Sequence, residues 1–574
     1  MKCVGRTSLL VASLLAGTGI LAAADHAGNT AEVSANTATQ NDEIARLKAA
    51  INAQQQQLQS LQQTLQSQQT LLEQALGKQT AETKSAFQGL GQVASTTPMI
   101  PVRPLPAVAF PGPVAMPQSV QTAANRNPCE APVNTAVPPY LRLGDVCIVP
   151  VGFMDLTSVW RDKNAGSGMG SNFGSVPYNN TVNGNLSEFR FTPQNSRIGF
   201  RIDGDLKGMH FIGYNEFDFN GTSGSNGISV SNGAFVPRLR LFWVDVRKNK
   251  LEFLAGQSWS MMTPNRRGIS ALPGDLFYTQ VTDINYMAGL TWTRQPGMRI
   301  LYHPTDKVTF GFSVENPDQY AGGSAGGSGI TLPAAFASLA NSQLDVAQNV
   351  SSGQNILNQP TLTPDFIAKV AFDPSSRFHF EVGGVNSNFK IVNPSVLTQH
   401  FTKSGGGVLV GLNAEVIKGL RVISTNYWSE GGGRYLFGQA PDLIVRSNGS
   451  LSLIKSGGTI DGFEETIKNT LLYAYYGGIY IGRNTGLDAN GTTKIGYGYA
   501  GSPNSQNRLI NELTFGFNQT IWKNARYGAV NLMGQYEWLQ RNPWSVATGA
   551  PKSTHDNTIY VNIRYTLPGT MPNF

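Results

Sequence analysis

The stretch from Asn557 to Leu567 constrains this chain most. Ile559, Val561, Ile563, Tyr565 and Leu567 fall on one side of an extended backbone, and Tyr560, Asn562, Arg564 and Thr566 on the other. One side is apolar; the other is polar and carries a charge. Any half-buried sheet could use such a strand. Segments of about ten residues with the same two-sidedness recur through the preceding sequence, however, separated alternately by short turns and by long connections rich in Gly, Ser and Asn. That repetition predicts an all-β transmembrane barrel.

Composition agrees with a surface that faces lipid: the 574 residues include 63 Gly, 28 Phe and 19 Tyr, and only 14% are charged. Beyond the N-terminal segment no apolar run reaches the roughly 20 residues a membrane helix needs, so a membrane would be crossed by strands. A soluble β-sandwich or propeller is the alternative, and no propeller-like period is found.

The N-terminus predicts export. Lys2 and Arg6 precede an apolar run from Leu9 to Leu21 and the small residues Ala22, Ala23 and Ala24, so residues 1–24 read as a signal peptide. Cys129 and Cys147 then remain as an even pair in an exported chain, which favours a disulfide over two free thiols. Within residues 25–94, a periplasmic segment, an α-helical coiled coil is expected at about 44–76. Ile44, Ile51, Leu58, Leu65 and Leu72 share one core position, Leu47, Leu61 and Ala75 the other, and Gln54 and Gln68 fill the remaining core slots. So narrow a stripe calls for partner helices; the alternative is a Gln-rich linker. Seven prolines between Pro98 and Pro117 interrupt helix and sheet alike, making residues 95–140 an extended spacer.

Residues 141–574 hold the barrel. Strands are read at about 148–162, 186–204, 209–221, 235–247, 250–259, 290–302, 307–316 and 362–373. A second set is read at about 378–390, 405–417, 419–429, 470–483, 493–500, 508–521, 527–540 and 557–567, giving about sixteen antiparallel strands. An even number places both termini on the short-turn side. Sixteen strands leave a water-filled lumen.

Alternation then assigns faces. Ile198, Phe200, Ile202, Phe217, Phe219, Leu239 and Leu241 are expected to face lipid, and Arg197, Arg201, Asp203, Glu216, Asp218, Arg238, Arg240 and Arg564 the pore. A charge on the lipid side would cost about 2–4 kcal/mol at mid-membrane. The inward charges could equally pair with one another across neighbouring strands.

Several blocks resemble the DcaP-like trimeric outer-membrane porins and, more distantly, the phosphate-selective porins. They are TPQNSRIGFRIDGDLKG at 192–208, EFDFNG at 216–221, LEFLAGQSWS at 251–260, RQPGMRI at 294–300, VENP at 314–317, and QYEWLQRNPW followed by IYVNIRYTLP near the end. The resemblance implies a homotrimer in the outer membrane of a Gram-negative-type bacterium, each subunit a channel for small, anionic solutes such as carboxylates or phosphates. In porins the connection corresponding to Ser260–Asn285 folds into the barrel, which makes Arg266, Arg267, Asp275 and Asp283 constriction candidates; an ordinary external loop is the alternative. The proline-rich spacer and the cysteine pair depart from the family's pattern.

Two other functions are weighed. An outer-membrane enzyme would need a nucleophile with a base in reach, and the sequence offers neither Gly-x-Ser-x-Gly nor His-Glu-x-x-His. An envelope tether, with the barrel as anchor for the periplasmic coil, remains open. No cofactor, metal or nucleic-acid motif is found, and the formal charge of +7 says little about partners.

Overall fold

The computed structural model describes residues 140–568 except 166–169, 172, 222–234, 271–275, 281–285, 324–328, 341, 347–359 and 525–526. The expected signal peptide, coiled coil and spacer, and Cys129, Asp275 and Asp283, lie outside the described residues.

Sixteen strands form a closed antiparallel barrel. The first four are β1 (Val146–Arg161), β2 (Arg197–Leu206), β3 (Met209–Gly221) and β4 (Val236–Lys248). Next come β5 (Leu251–Trp259), β6 (Arg294–Thr305), β7 (Val308–Glu315) and β8 (Asp365–Ser375). They are followed by β9 (Phe378–Asn393), β10 (Val396–Ile417), β11 (Leu420–Glu430) and β12 (Lys455–Ile467). The last are β13 (Thr470–Ile481), β14 (Asn507–Asn524), β15 (Gly528–Pro543) and β16 (Thr554–Thr566). Each pairs with its sequence neighbours, and β1 pairs with β16 from Phe153↔Thr566 to Arg161↔Thr558, so no sheet edge is left open. In lipid an open edge would strand backbone N–H and C=O groups at several kcal/mol each.

The two ends of the barrel differ because the connections do. At one end the strands are joined by tight turns; between Leu206 and Met209, Lys207 and Gly208 have φ of 52° and 73°, the left-handed pair that a two-residue hairpin needs. At the other end lie long connections such as 260–293, 316–364, 431–454 and 482–506. Side chains from these loops pack into one apolar cluster across the mouth, including Phe173, Met262, Tyr286, Leu339, Leu443 and Tyr497. Trp292 is central to it, with ring centroids 5.0 Å from both Trp259 and Phe437.

The outer belt follows the alternation. Ile559, Val561 and Ile563 are exposed, whereas Tyr560, Asn562, Arg564 and Thr566 are buried on the inner side. One assignment is corrected: Leu241 faces inward, fully buried, and Phe242 and Val244 take the outer positions. The cause is a β-bulge. Glu216 pairs with Leu241 and Phe217 with Leu239, leaving Arg240 as an extra residue that inverts the parity of β4 beyond it.

The strand inventory is corrected too. Lys455–Ile467, not among the strands read from sequence, is a barrel strand, while residues 493–500 contribute only Lys494–Tyr497 to a separate hairpin with Asn484–Leu487. The two differences cancel in the count. Strand β10 also begins at Val396 rather than near 405.

Candidate functional site

The described parts of the connection 260–293, which leaves β5, lie inside the barrel against its wall instead of over the surface. Its irregular backbone carries N–H groups that need acceptors once water is excluded, and the wall supplies them. Met261 N–H donates to Glu315 of β7 at 2.9 Å, Asn265 N–H to Glu381 of β9 at 2.8 Å, and Gly268 N–H to Asp373 of β8 at 3.0 Å. Further along, Gln280 N–H donates to Gln535 of β15 and Ala288 N–H to Glu512 of β14, both at 2.7 Å. The wall also donates: Lys369 Nζ reaches Thr263 O at 2.8 Å, and Arg564 Nη2 reaches the Gln280 side chain at 3.3 Å.

Glycines let the segment lie against the wall. A Cβ on Gly477 of β13 would stand 2.2 Å from Ala288 O, and one on Gly458 of β12 2.7 Å from Gly289 O. No real Cβ makes such contacts, so a larger residue at either place would displace the segment.

Arg266 is the segment's main ionic anchor. Its guanidinium grips Glu464 of β12 in two-pronged fashion, at 2.8 and 2.5 Å, and lies 5.0 Å from the Tyr278 ring. Burial opposes its charge, but Glu464 and Tyr278 more than compensate, and the group stays cationic. Arg267, next in sequence, is exposed and makes no ion pair or hydrogen bond among the described residues. Arg421 of β11 is the direct cross-strand partner of Glu464 and bonds Asn413 at 2.6 Å. Arg266 and Arg421 thus share this part of the lumen with Glu464 and with Glu415, which is 3.8 Å from Arg421.

The wall charges pair with one another. Arg240, fully buried, bridges Glu216 at 2.6 Å and Asp218 at 2.8 Å; Arg238 also holds Asp218, at 3.0 Å. Arg197 stands 3.8 Å from Glu216, and Arg201 grips Asp203 at 2.6 and 2.7 Å. Arg564 holds Asp155 at 2.8 Å. This is the cross-pairing alternative that the sequence left open, and it offsets the charge of this part of the wall.

Sequence reasoning passed over the carboxylates that hold the inward segment, and Arg421. For Glu381 and Glu512 the signal was present, since both occupy inward positions of strands read from the sequence; Glu464 lies on β12, which was not among them. Cys147 is disulfide-bonded; its expected partner, Cys129, lies outside the described residues.

No protein-family model and no curated protein matches the sequence. Among solved structures, the outer membrane channel DcaP of Acinetobacter baumannii matches with a TM-score of 0.52 at 16% identity, over 75% of this chain and 100% of that one. The anion-selective porin from Comamonas acidovorans gives a TM-score of 0.41 at 11% identity, over 73% of this chain and 99% of that one, too low to add to the comparison. At this level of identity the likeness is one of architecture. The closed sixteen-stranded barrel of this chain has the fold of the channel DcaP, whose sequence group its own blocks resemble.

Proposed function

We propose that the protein is an outer-membrane porin through which small hydrophilic anions diffuse, assembled as a homotrimer with residues 25–94 in the periplasm. The inward connection 260–293 carries this reading. A barrel that served only as an anchor would have no use for a backbone segment held across its lumen by carboxylates and amides of the surrounding wall. Where that segment narrows the passage, Arg267 presents a cation with no partner among the described residues, next in sequence to Arg266.

Anions should be favoured there. A monovalent ion passing about 6 Å from Arg267 in water gains roughly 0.7 kcal/mol, a factor of about three, and the field reaches about one Debye length, 8 Å. Planar guanidinium donors also suit carboxylates and phosphates. Arg266 contributes less, since Glu464 offsets its charge.

The test is single-channel recording in a planar bilayer with a salt gradient. Arg267→Ala should lower the anion-to-cation permeability ratio about tenfold, because the passing cation loses what the anion gains, with conductance retained. An unchanged ratio would remove Arg267 as the selectivity element. The apolar packing of loops across the mouth favours a second reading, an envelope tether with a closed barrel; the absence of any conductance in the parent protein would establish it over the channel.

A further inference from the structure

A groove of about 800 Å³ opens on the outer surface near the loop end of β11–β13, bordered by Trp428, Glu430, Lys455, Tyr480, Arg483 and Trp544. Its shape comes from strand register. Trp428, Gly457 and Tyr480 are consecutive cross-strand partners on the outward face, so a residue without a side chain lies between two exposed aromatic rings. The Trp428 ring folds over Gly457, where a Cβ would come within 2.9 Å of it.

The two ends of the groove differ chemically. Toward the turn end the outward residues are the exposed apolar Phe463 and Leu472. Toward the loop end come cations. Arg483 and Arg508 both lie 5.8 Å from the Trp544 ring, which is itself 6.4 Å from Tyr480. Lys455, Arg483 and Arg508 are exposed, and none is in an ion pair among the described residues. Glu430 stands across from Lys455 and offsets one charge, leaving an excess of two positive charges. Aromatic rings at the end of an apolar belt mark the membrane interface, and cations just beyond them meet the headgroups.

We propose that this groove binds an anionic amphiphile of the membrane leaflet at the loop end, a lipid with a phosphate-bearing headgroup. The phosphate sits at Lys455, Arg483 and Arg508, and an acyl chain lies against the outward faces of Trp428 and Tyr480. Arginine and lysine recognise the phosphate by charge-assisted hydrogen bonds, and the rings cover the first methylenes of the chain.

The full-length protein, purified in detergent, is titrated by native mass spectrometry with phosphatidylglycerol and with phosphatidylcholine of the same chain length. The parent should retain phosphatidylglycerol in preference. Each cation near an anionic headgroup is worth about fivefold in affinity, so the triple variant K455A/R483A/R508A should bind roughly a hundredfold more weakly. Trp428→Ala, which removes one ring and leaves the charges, should weaken binding of both lipids while keeping the preference for phosphatidylglycerol. Inorganic phosphate at millimolar concentration should not displace the lipid. The proposal fails if the triple variant binds as the parent does, if both lipids bind equally, or if inorganic phosphate displaces them. Single-channel conductance equal to the parent's shows that the variant barrel is intact, and it also keeps this test separate from the channel reading.

Discussion

Replacing Glu464 with Gln leaves Arg266 inside the barrel without its counter-charge. The pair is well shielded, with the Arg266 side chain 10% exposed and that of Glu464 4%, so the discount for solvent screening at a surface pair does not apply. Two unit charges about 4 Å apart at an effective dielectric of about 20 attract by about 4 kcal/mol. Removing one partner of such a pair costs about 3–5 kcal/mol, because the remaining charge stays desolvated. Tyr475 donates to Glu464 at 2.6 Å and Arg266 also donates to Leu276 O at 2.6 Å, so the loss is felt as loosening of the segment around 264–276. The amides to watch are Asn265 and Gly268, which are bound to Glu381 and Asp373. Their hydrogen exchange should accelerate by roughly a hundredfold or more in Glu464→Gln, the equivalent of about 3 kcal/mol of local opening. Pairing the change with Arg266→Met should restore much of the protection, since no buried charge then remains. Exchange at both amides equal to the parent's in the single variant would refute the anchoring role of this pair.

Burial pushes the Asp318 carboxyl up to about 7, with Arg434 opposing the rise and Asp345 adding to it. Its contribution to loop stability is therefore full below the ordinary Asp value of about 3.9 and is lost as pH climbs toward 7; exchange of the Ala321 amide, bound to Asp345 O at 2.8 Å, corrected for its intrinsic rate, should quicken over that window in the parent and stay flat in Asp318→Asn. A Cys129–Cys147 bridge should appear in non-reducing peptide maps, and recovery of both as free thiols would remove it; closing a loop of this size contributes about 3 kcal/mol on the chain-entropy scale. A peptide spanning 44–76 should cross-link as a trimer, and a purely monomeric product would sink the coiled-coil assignment.

Much of the barrel was legible because lipid imposes one rule on every outward side chain. The rule lapses beyond the apolar belt, and there the reading slipped. In β12 the outward positions from Lys455 to Asp461 are Lys, Gly, Thr and Asp, and only Phe463 is a large apolar group, so alternation gave no signal. Similarly, the first nine residues of β10, VLTQHFTKS, form a strand without the belt's pattern. Leu241 was misassigned because a bulge depends on the partner strand, which a linear pattern does not contain. The inward segment was legible from its length and apolar content. Its anchors were not, because Glu381, Glu464, Glu512 and Gln535 come from strands far along the chain and read individually as ordinary pore-wall residues.

The distances in sequence between the inward segment and its anchors bear on how this barrel can be assembled. Met261 meets a partner 54 residues later, Asn265 one 116 later, Arg266 one 198 later and Gln280 one 255 later. Whatever the order in which strands are laid down, the segment's groups find these partners only once β7, β9, β12 and β15 stand together. Contacts this remote are slow to form, since the entropy of closing so much chain is lost before any bond is gained. Closure of β1 on β16 and docking of the segment through Arg564 to Gln280 therefore belong to the same late event, and a chain truncated before β16 would lack both.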